Sequence, residues 1–345
     1  MTAKITIMLL TMLGFIGVSG PVQAKSFYEY CLHPANDAER DTVIAIMIEM
    51  KVWQRLNEEN CQFAAELLRQ KTYLNIFPDP FDAAHNPASN LKPLEEETQL
   101  RSLSLARNEI TDISPLSKLT ELKQLNINYN PISDISTVAK FKRLEELDAT
   151  ETRVVDLRPI SDLPMLNTLS LSKTGISDLS PVRSLRHLKN IYLSQNLVRD
   201  ASPLDHLALE YLTIDTNQIE RLDITQSQAT LKMLEASNNK LSEIVGIDKL
   251  LKIDAISIAS NTISDLNQIA GLKTLRFLNI RHNQVRSIEP LGNLIDLEHL
   301  LLDGNQICEI PDSVRALQLD HMNSKGKWIT LEIVGENDQI GCSQQ

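Results

Sequence analysis

Leu-Arg-Ser-Leu-Ser-Leu-Ala-Arg-Asn-Glu-Ile, at residues 100–110, is the first clear copy of a unit that repeats along most of this chain. It returns as Leu-Lys-Gln-Leu-Asn-Ile-Asn-Tyr-Asn-Pro-Ile at residues 122–132, and both copies follow the pattern LxxLxLxxNxI. Further copies begin at Leu144, Leu166, Leu188, Leu209, Leu231, Ile253, Leu275 and Leu297, and a degenerate one at Leu319. Every step is 22 residues except the 21 residues from Leu188 to Leu209. A fixed period of this length predicts a repeat solenoid.

Within each unit, the LxL core predicts a short strand whose two apolar residues point inward while its neighbours point outward. One such strand cannot bury its apolar face alone, so stacked units are expected to form a parallel sheet over a continuous core. An Asn follows the strand in most units, as at Asn108, and its amide can pair backbone groups that the turn leaves free. Thr152 and Thr174 replace it in two units. A hydroxyl supplies only part of that pairing, so we expect the third and fourth repeats to be locally softer.

The second half of each unit has apolar residues three apart, as in Ile110, Ile113, Leu116 and Leu119. This spacing favours 3-10 or short helical turns. Prolines recur at one place in this half: Pro115, Pro159, Pro181, Pro203 and Pro290. A proline there begins a turn whose N–H would be unpaired in any case. The chain is therefore predicted to be an α/β repeat solenoid with strands on one side and short turns on the other.

These residues resemble the leucine-rich-repeat superfamily, and the 22-residue unit is similar to the subclass shared by internalins and SDS22-type phosphatase regulators. The resemblance covers roughly residues 94 to 322. It implies a right-handed superhelix with short parallel strands on the concave face, 3-10 turns on the convex side and ligand binding on the strand face. It names no ligand, because these repeats carry many unrelated partners.

The first 24 residues are predicted to be a signal peptide. Lys4 precedes an apolar run from Ile5 to Val18, and small residues at Val22 and Ala24 suit a cleavage site before Lys25. The alternative is an uncleaved N-terminal anchor, although the run is short for a bilayer span. The predicted location is secreted or periplasmic. Removing Lys4 changes the net charge from −11 to −11 − 1 = −12, which disfavours nucleic acid and anionic membranes as partners.

Residues 25–93 lack the repeat and are predicted to be a helical N-terminal cap and linker, with helices from Asp37 to Trp53 and from Asn60 to Lys71. A separate small binding domain is the alternative for this segment. Ten repeats are expected over residues 94–318 and a C-terminal cap over residues 319–345, where a strand or hairpin can cover the last repeat.

Four cysteines allow three pairings. Ten strands at a separation of roughly 4.8 Å would place the two ends on the order of 45 Å apart. A disulfide needs Cα atoms within about 7 Å of each other. Cys31 is therefore predicted to pair with Cys61, and Cys308 with Cys342.

Common catalytic and cofactor-binding motifs are absent from the sequence, and no cofactor is predicted. Stacking of the repeats nevertheless brings outward residues together in three clusters. The first is acidic and contains Glu146, Asp148 and Glu151; the second is aromatic and contains Tyr192 and Tyr211, with Tyr129 further along; the third joins Phe277, His299 and His321, with His282 and Asp303 nearby.

Exposed aromatic residues on a rigid surface are typical anchors for a protein or glycan partner. The favoured hypothesis is a monomeric, exported binding module that is not an enzyme and does not insert into a membrane after cleavage. Its predicted contact residues are Tyr129, Glu146, Asp148, Tyr192, Tyr211, Phe277 and His299. The alternatives are an architectural or adhesive envelope protein and, less favoured, a metal-dependent hydrolase that uses His299, His321 and Asp303.

Overall fold

A computed structural model describes residues 25–52, 56–76, 78 and 87–334. The predicted signal peptide and Cys342 lie outside the described residues. The helices are α1 (Phe27–Leu32), α2 (Asp37–Glu49), α3 (Glu58–Arg69) and α4 (Asp312–Arg315). The strands are β1 (Tyr73–Asn75), β2 (Ser102–Ser104), β3 (Gln124–Asn126), β4 (Glu146–Asp148), β5 (Thr168–Ser170), β6 (Asn190–Tyr192), β7 (Tyr211–Thr213), β8 (Leu222–Asp223), β9 (Met233–Glu235), β10 (Ile244–Val245), β11 (Ala255–Ser257), β12 (Phe277–Asn279), β13 (His299–Leu301), β14 (His321–Met322), β15 (Trp328–Ile329) and β16 (Glu332–Val334).

A parallel sheet of twelve of these strands runs through the described chain in the order β1-β2-β3-β4-β5-β6-β7-β9-β11-β12-β13-β16. In each strand of this sheet from β1 to β13 the central residue is buried and the two outer residues point outward, as with Leu103 between Ser102 and Ser104, whereas the central Ile333 of β16 is half-buried. The register keeps equivalent residues level, so that Leu103 is paired with Leu125. The predicted leucine-rich-repeat superhelix, with its parallel strands and helical N-terminal cap, is confirmed.

The convex side consists of short 3-10 helices: Lys92–Leu94, Ser114–Lys118, Ser136–Lys140, Arg158–Ile160, Ser180–Ser184, Ser202–Leu204, Thr225–Ser227, Ile247–Lys249, Asn267–Ile269, Glu289–Asn293 and Ala316–Gln318. An aspartate stands before many of them. Asp112 Oδ1, for example, accepts a hydrogen bond from the Ser114 amide at 2.7 Å. This side-chain bond pairs an amide at the start of the turn, and the proline beside it has no N–H to satisfy.

In most repeats the strand is followed by an asparagine whose side chain forms hydrogen bonds to the preceding repeat. Asn130 Nδ2 donates to the carbonyls of Leu105 in the preceding repeat (2.8 Å), Ile127 (3.1 Å) and Asn128 (3.0 Å). Its Oδ1 accepts from the amide of Ile110, also in the preceding repeat, at 3.0 Å. The side chain is only 2% exposed, so water cannot substitute for these bonds.

Thr152 and Thr174 make fewer of these bonds, as their chemistry predicts. Their hydroxyls donate within their own repeat, to the carbonyls of Ala149 at 2.7 Å and Leu171 at 2.9 Å. A hydroxyl has one hydrogen to donate, so neither threonine has a donor left for the carbonyl of the preceding repeat. The expected softness of these two repeats stays a prediction.

Beside the 21-residue repeat, the following repeat buries a serine, Ser227, against the shortened segment. Ser227 Oγ accepts from the Leu209 amide at 3.0 Å and donates to the Leu207 carbonyl at 3.0 Å. It therefore satisfies both backbone groups beside the shortened segment. Tyr211 remains paired with Asn190 across the neighbouring strands.

The N-terminal cap contains more structure than the sequence predicts. The predicted helix beginning at Asp37 ends at Glu49 rather than Trp53, and the second begins at Glu58 and ends at Arg69. Helix α1 and strand β1 were not predicted. Strand β1 extends the sheet by pairing with β2, and Asn108 Nδ2 ties it to the first repeat through the Ile76 carbonyl at 2.9 Å.

The predicted Cys31–Cys61 disulfide is confirmed, with Cα atoms 5.6 Å apart and both cysteines buried between α1 and α3. On the chain-entropy model, closing a loop of 30 residues stabilises the fold by about 3–4 kcal/mol. Cys308 is also disulfide-bonded, whereas its predicted partner, Cys342, lies outside the described residues.

The C-terminal end departs from the repeat. Leu319 and Met322 are 71% and 54% exposed, so they do not occupy the core positions of an eleventh repeat. Strand β14 instead forms an antiparallel pair with β15, and β16 takes the next place in the main sheet. Among the described residues, no helix has the length and apolarity needed to cross a membrane.

We expect Asn130→Ala to lower the free energy of unfolding by about 2–4 kcal/mol, because it leaves buried carbonyl and amide groups unpaired. Urea denaturation followed by far-ultraviolet circular dichroism measures the change. Thr152→Asn is the matched reciprocal variant and should raise the stability by about 1 kcal/mol. Equal midpoints for Asn130→Ala and the parent protein would contradict this role.

Candidate partner-binding face

The outward residues of the twelve-stranded sheet form three columns, which we call the strand face. The first column holds the first residue of each strand, and the second column holds the third residue. The third column holds the residue two positions further along, such as Asp215. Every described residue of the first two columns is exposed or half-buried, so none of them belongs to the core.

Most of the predicted contact residues lie in these columns. Glu146, Tyr211, Phe277 and His299 are in the first column, and Asp148 and Tyr192 are in the second. Tyr129 is the exception. Tyr129 lies directly before Asn130, and its own backbone φ is positive, at 53°. Its ring lies beside Arg107, whose guanidinium carbon is 4.2 Å from the ring centroid.

The acidic cluster is divided by its own hydrogen bonds. Asp148 accepts from the Thr150 amide at 3.0 Å and from Asn128 Nδ2 at 2.7 Å, and Glu151 pairs with Lys173 at 2.5 Å. Glu146 is exposed. Glu146 and Asp148 line a shallow depression of about 310 Å³, together with the small polar residues Ser102, Ser104, Asn126, Thr168 and Ser170. Asp148 thus has a local structural role, and Glu146 remains accessible to a partner.

The expected stacking of His321 on His299 is wrong. His299 lies beside Phe277, with ring centroids 6.5 Å apart, and its Nδ1 is 2.9 Å from Glu332 Oε2. His321 lies in the hairpin, with Nε2 2.9 Å from the Ile295 carbonyl. The repeat phase is lost after β13, because α4 and the hairpin intervene before β16 takes the neighbouring position.

The ligand set of the hydrolase hypothesis is therefore not assembled. Asp303 forms an ion pair with Arg281 rather than facing His321. No group of three or more His, Cys, Asp or Glu side chains in the described ranges is arranged to hold a metal ion.

The two tyrosines of the aromatic cluster lie near the middle of the sheet around Thr213. Tyr192 is paired with Thr213 on one side, and Glu235 is paired with Thr213 on the other. Tyr211 precedes Thr213 by two residues, and Asp215 follows it by two. Because outward side chains alternate along a strand, Tyr192, Tyr211, Thr213 and Glu235 face the same way, and Asp215 lies near enough to Glu235 for that carboxylate to raise its pKa. We call these five residues the Thr213 cluster.

Sequence reasoning did not identify Asp215 and Glu235 as part of this cluster. Glu235 shares the second column with Tyr192, which the repeat phase was sufficient to show. Asp215 lies beyond its strand, in the turn, where the two-residue alternation is not guaranteed. Strand β1 likewise adds the unpredicted Tyr73 to the first column, where it is 56% exposed.

Burial and like charge act on this cluster. Partial burial raises the pKa of Asp215, the Glu235 carboxylate raises it further, and the amide hydrogen bond from Ser237 at 2.6 Å opposes the rise. Burial also raises the pKa of the Tyr192 hydroxyl, with smaller contributions from Tyr211 and Glu235. The Thr213 hydroxyl donates to Glu235 Oε2 at 3.3 Å.

The residue directly before each strand is charged in most repeats, and we call this column the charged rim. Unlike the strand face, its residues form ion pairs with one another. Lys123 pairs with Glu145, Glu210 with both Lys189 and Lys232, and Arg276 with Glu298; these N···O distances are 2.7, 3.0, 2.7 and 2.8 Å. Exposed pairs of this kind contribute up to about 1 kcal/mol each to stability.

The strand face itself is acidic. Its described carboxylates are Glu146, Asp148, Asp215, Glu235, Asp303 and Glu332. Among the described residues of the three columns, the basic residue is Arg281, and it is already paired with Asp303. The face is therefore a surface of negative potential beside a rim whose charges largely cancel.

The family model described as Leucine Rich repeats (2 copies) matches residues 98–140 and 164–206. The chain is a leucine-rich-repeat protein. The solved internalin inlF from Listeria monocytogenes is 27% identical and is similar over 84% of this chain and 87% of that chain, with a TM-score of 0.65. No curated protein matches the chain.

Two other solved structures share the fold of this leucine-rich-repeat protein. The ectodomain of the receptor kinase GASSHO1/SCHENGEN3 from Arabidopsis thaliana, in complex with CASPARIAN STRIP INTEGRITY FACTOR 2, is 20% identical over 73% of this chain and 32% of that chain, with a TM-score of 0.59. The functional domain of InlJ from Listeria monocytogenes is 18% identical over 69% of this chain and 59% of that chain, with a TM-score of 0.50. Solenoids of this type present extended concave surfaces that bind macromolecules.

We expect Asp215→Asn to stabilise the protein at neutral pH. Because the pKa of Asp215 is raised in the folded state, the folded protein binds this proton more tightly than the unfolded chain does. The charged carboxylate therefore lowers the stability of the fold once the pH rises above the pKa that Asp215 has in the unfolded chain. The asparagine oxygen can still accept the Ser237 amide bond. The gain in melting temperature should therefore be largest at neutral pH and disappear below about pH 4.

Asp200→Asn is the matched control with the opposite sign. A hydrogen bond from the Ser202 amide lowers the pKa of Asp200, so its charged form stabilises the fold above the unfolded pKa. This variant should melt at a lower temperature at neutral pH. Parallel pH profiles for the two variants would contradict the assignment.

Proposed function

We propose that this protein is an exported binding module that holds a protein partner on its strand face. The observation that carries the proposal is the half-exposed tyrosine pair, Tyr192 and Tyr211, near the middle of an uncovered sheet. Tyrosine rings bury a large area with few rotatable bonds, and such residues supply much of the binding energy of protein interfaces.

The rigidity of the sheet supports this role. Each strand is held to its neighbours by the backbone hydrogen bonds of the sheet and, in most repeats, by the side-chain amide of the asparagine that follows it. The outward residues therefore need little reorganisation on binding. A preorganised surface loses less conformational entropy when a partner docks. Protein is favoured over glycan as the ligand because the face combines aromatic residues with an excess of negative charge spread over several repeats.

Export is supported by the Cys31–Cys61 disulfide, since structural disulfides persist in oxidising compartments. A secreted or periplasmic location follows. A monomer is supported by both ends of the sheet: α1, α2 and α3 precede β1, and the β14–β15 hairpin accompanies the final strand, β16. Capping structures of this kind limit end-to-end stacking of solenoids.

We expect Tyr192→Ala combined with Tyr211→Ala to weaken partner binding by at least about tenfold per ring, since truncation of an interface anchor typically costs 2 kcal/mol or more. Residues 25–345 and this variant would be immobilised side by side and exposed to envelope and extracellular extracts. Mass spectrometry would identify the proteins that only the parent chain retains, and purified partner would then give the two affinities.

The matched control is Val155→Ala combined with Leu197→Ala. It removes two apolar side chains that are 58% and 53% exposed outside the three columns. This control should bind as the parent does, and all three proteins should melt at similar temperatures. Equal retention of the partner by the tyrosine variant would place the binding surface elsewhere, and binding of a glycan alone would replace the protein partner.

A further inference from the structure

We propose that the Thr213 cluster is a recognition site for an arginine side chain carried by the protein partner. This inference rests on the proposed function and adds the chemistry of the contact. Its starting point is the uneven pairing of charge on the two neighbouring surfaces of the solenoid. Carboxylates on the charged rim have cationic partners, whereas Asp215 and Glu235 have no lysine or arginine nitrogen within 4.0 Å among the described residues.

Thr213 lies at the centre of the cluster. The side chains on either side, Tyr192 and Glu235, belong to the strands that flank β7. Strands are spaced by roughly 4.8 Å, so the backbones that carry these two side chains are about 10 Å apart across the threonine. Thr213 is small, and Tyr211 and Asp215 border it along the strand direction. Two rings and two carboxylates therefore surround a shallow centre.

The residues that surround this centre match a guanidinium group. A guanidinium is planar, donates in a fork that suits carboxylates, and stacks on aromatic rings. Glu235 already turns toward the centre, because it accepts from the Thr213 hydroxyl at 3.3 Å. A compact ammonium would gain the charge attraction but not the combination of stacking and two-point hydrogen bonding, so arginine is favoured over lysine.

Two contacts within the protein show the same chemistry. Lys232 Nζ lies 5.6 Å from the centroid of the Tyr211 ring while it pairs with Glu210. Further along the face, Arg281 pairs with Asp303 of the next repeat. On this surface a lysine of the chain thus already lies beside a tyrosine ring, and an arginine of the chain pairs with an aspartate. Around Thr213, Asp215 and Glu235 have no lysine or arginine nitrogen within 4.0 Å among the described residues, and Lys232, the cation beside Tyr211, is paired with Glu210.

Retaining Asp215 as a carboxylate also has a cost to stability, because burial and Glu235 both disfavour its charge. A cation from the partner would remove that cost on binding. The same carboxylates would repel an acidic segment, so the cluster selects the partner as well as attracting it.

The test uses the protein without its signal peptide and three capped peptides: tri-arginine, tri-lysine and tri-glutamate. Binding is measured by isothermal titration calorimetry at physiological salt. We expect saturable binding of tri-arginine, weaker binding of tri-lysine and none of tri-glutamate.

Glu235→Gln should weaken tri-arginine binding by about tenfold, the effect of one charge-assisted hydrogen bond. Tyr192→Ala should also weaken binding, and Tyr192→Phe should restore it, since phenylalanine keeps the ring face. Glu220→Gln, whose side chain is 76% exposed outside the columns, removes the same charge elsewhere. This control should change the affinity by about twofold or less.

Absence of saturable tri-arginine binding would overturn the inference. Equal loss in Glu235→Gln and Glu220→Gln would overturn it as well, because the attraction would then belong to the overall acidity. With the natural partner, loss of binding in the tyrosine double variant but not in Glu235→Gln would refute the arginine site and leave the proposed function intact. Retention by both variants would refute the proposed function itself.

Discussion

The side-chain amide of the asparagine that follows the strand in most repeats is the interaction on which the rest of this structure depends. A coil of 22 residues contains a three-residue strand and a 3-10 turn, and neither can pair all of its backbone groups alone. The amide donates to the carbonyls of its own repeat and of the preceding one, and it accepts an amide of the preceding repeat. It therefore sets both the turn and the spacing between coils. The residue before it has a positive φ in repeat after repeat, a conformation that costs a non-glycine residue roughly 1–2 kcal/mol.

The binding surface is a consequence of that spacing. Since equivalent residues stand level on neighbouring strands, each outward position becomes a column whose members touch. The charged rim uses this arrangement to pair opposite charges from repeat to repeat, as Glu210 does with Lys189 and Lys232. The strand face uses the same arrangement differently: it places Tyr192, Thr213 and Glu235 in one row without a cation. The charged rim and the strand face thus differ in electrostatic character: most rim charges are paired with one another, whereas Asp215 and Glu235 on the strand face have no lysine or arginine partner among the described residues.

Periodicity explains how much of this was predictable. The repeat phase identifies which residues are inward and which share a column, so the sheet, the column positions of Tyr192 and Tyr211 and the Cys31–Cys61 pair follow from the sequence. Prediction failed where the phase ends or where backbone conformation changes direction. Tyr129 leaves the columns because the position before Asn130 is left-handed. Strand β1 precedes the repeats, so no repeat period marks it, and His321 moves into a hairpin because α4 follows the last repeat.

We propose that a partner occupies the middle of the strand face, and a large side chain placed at that position should block the partner. Thr213→Trp places a large ring at the centre of the cluster without changing its charge, whereas Ser177→Trp adds the same ring at an exposed position outside the columns. The measurement is the affinity of each variant for the partner recovered by capture, with melting temperatures recorded in parallel. We expect Thr213→Trp to abolish binding and Ser177→Trp to bind as the parent protein does. Parent-like affinity of a folded Thr213→Trp would contradict it.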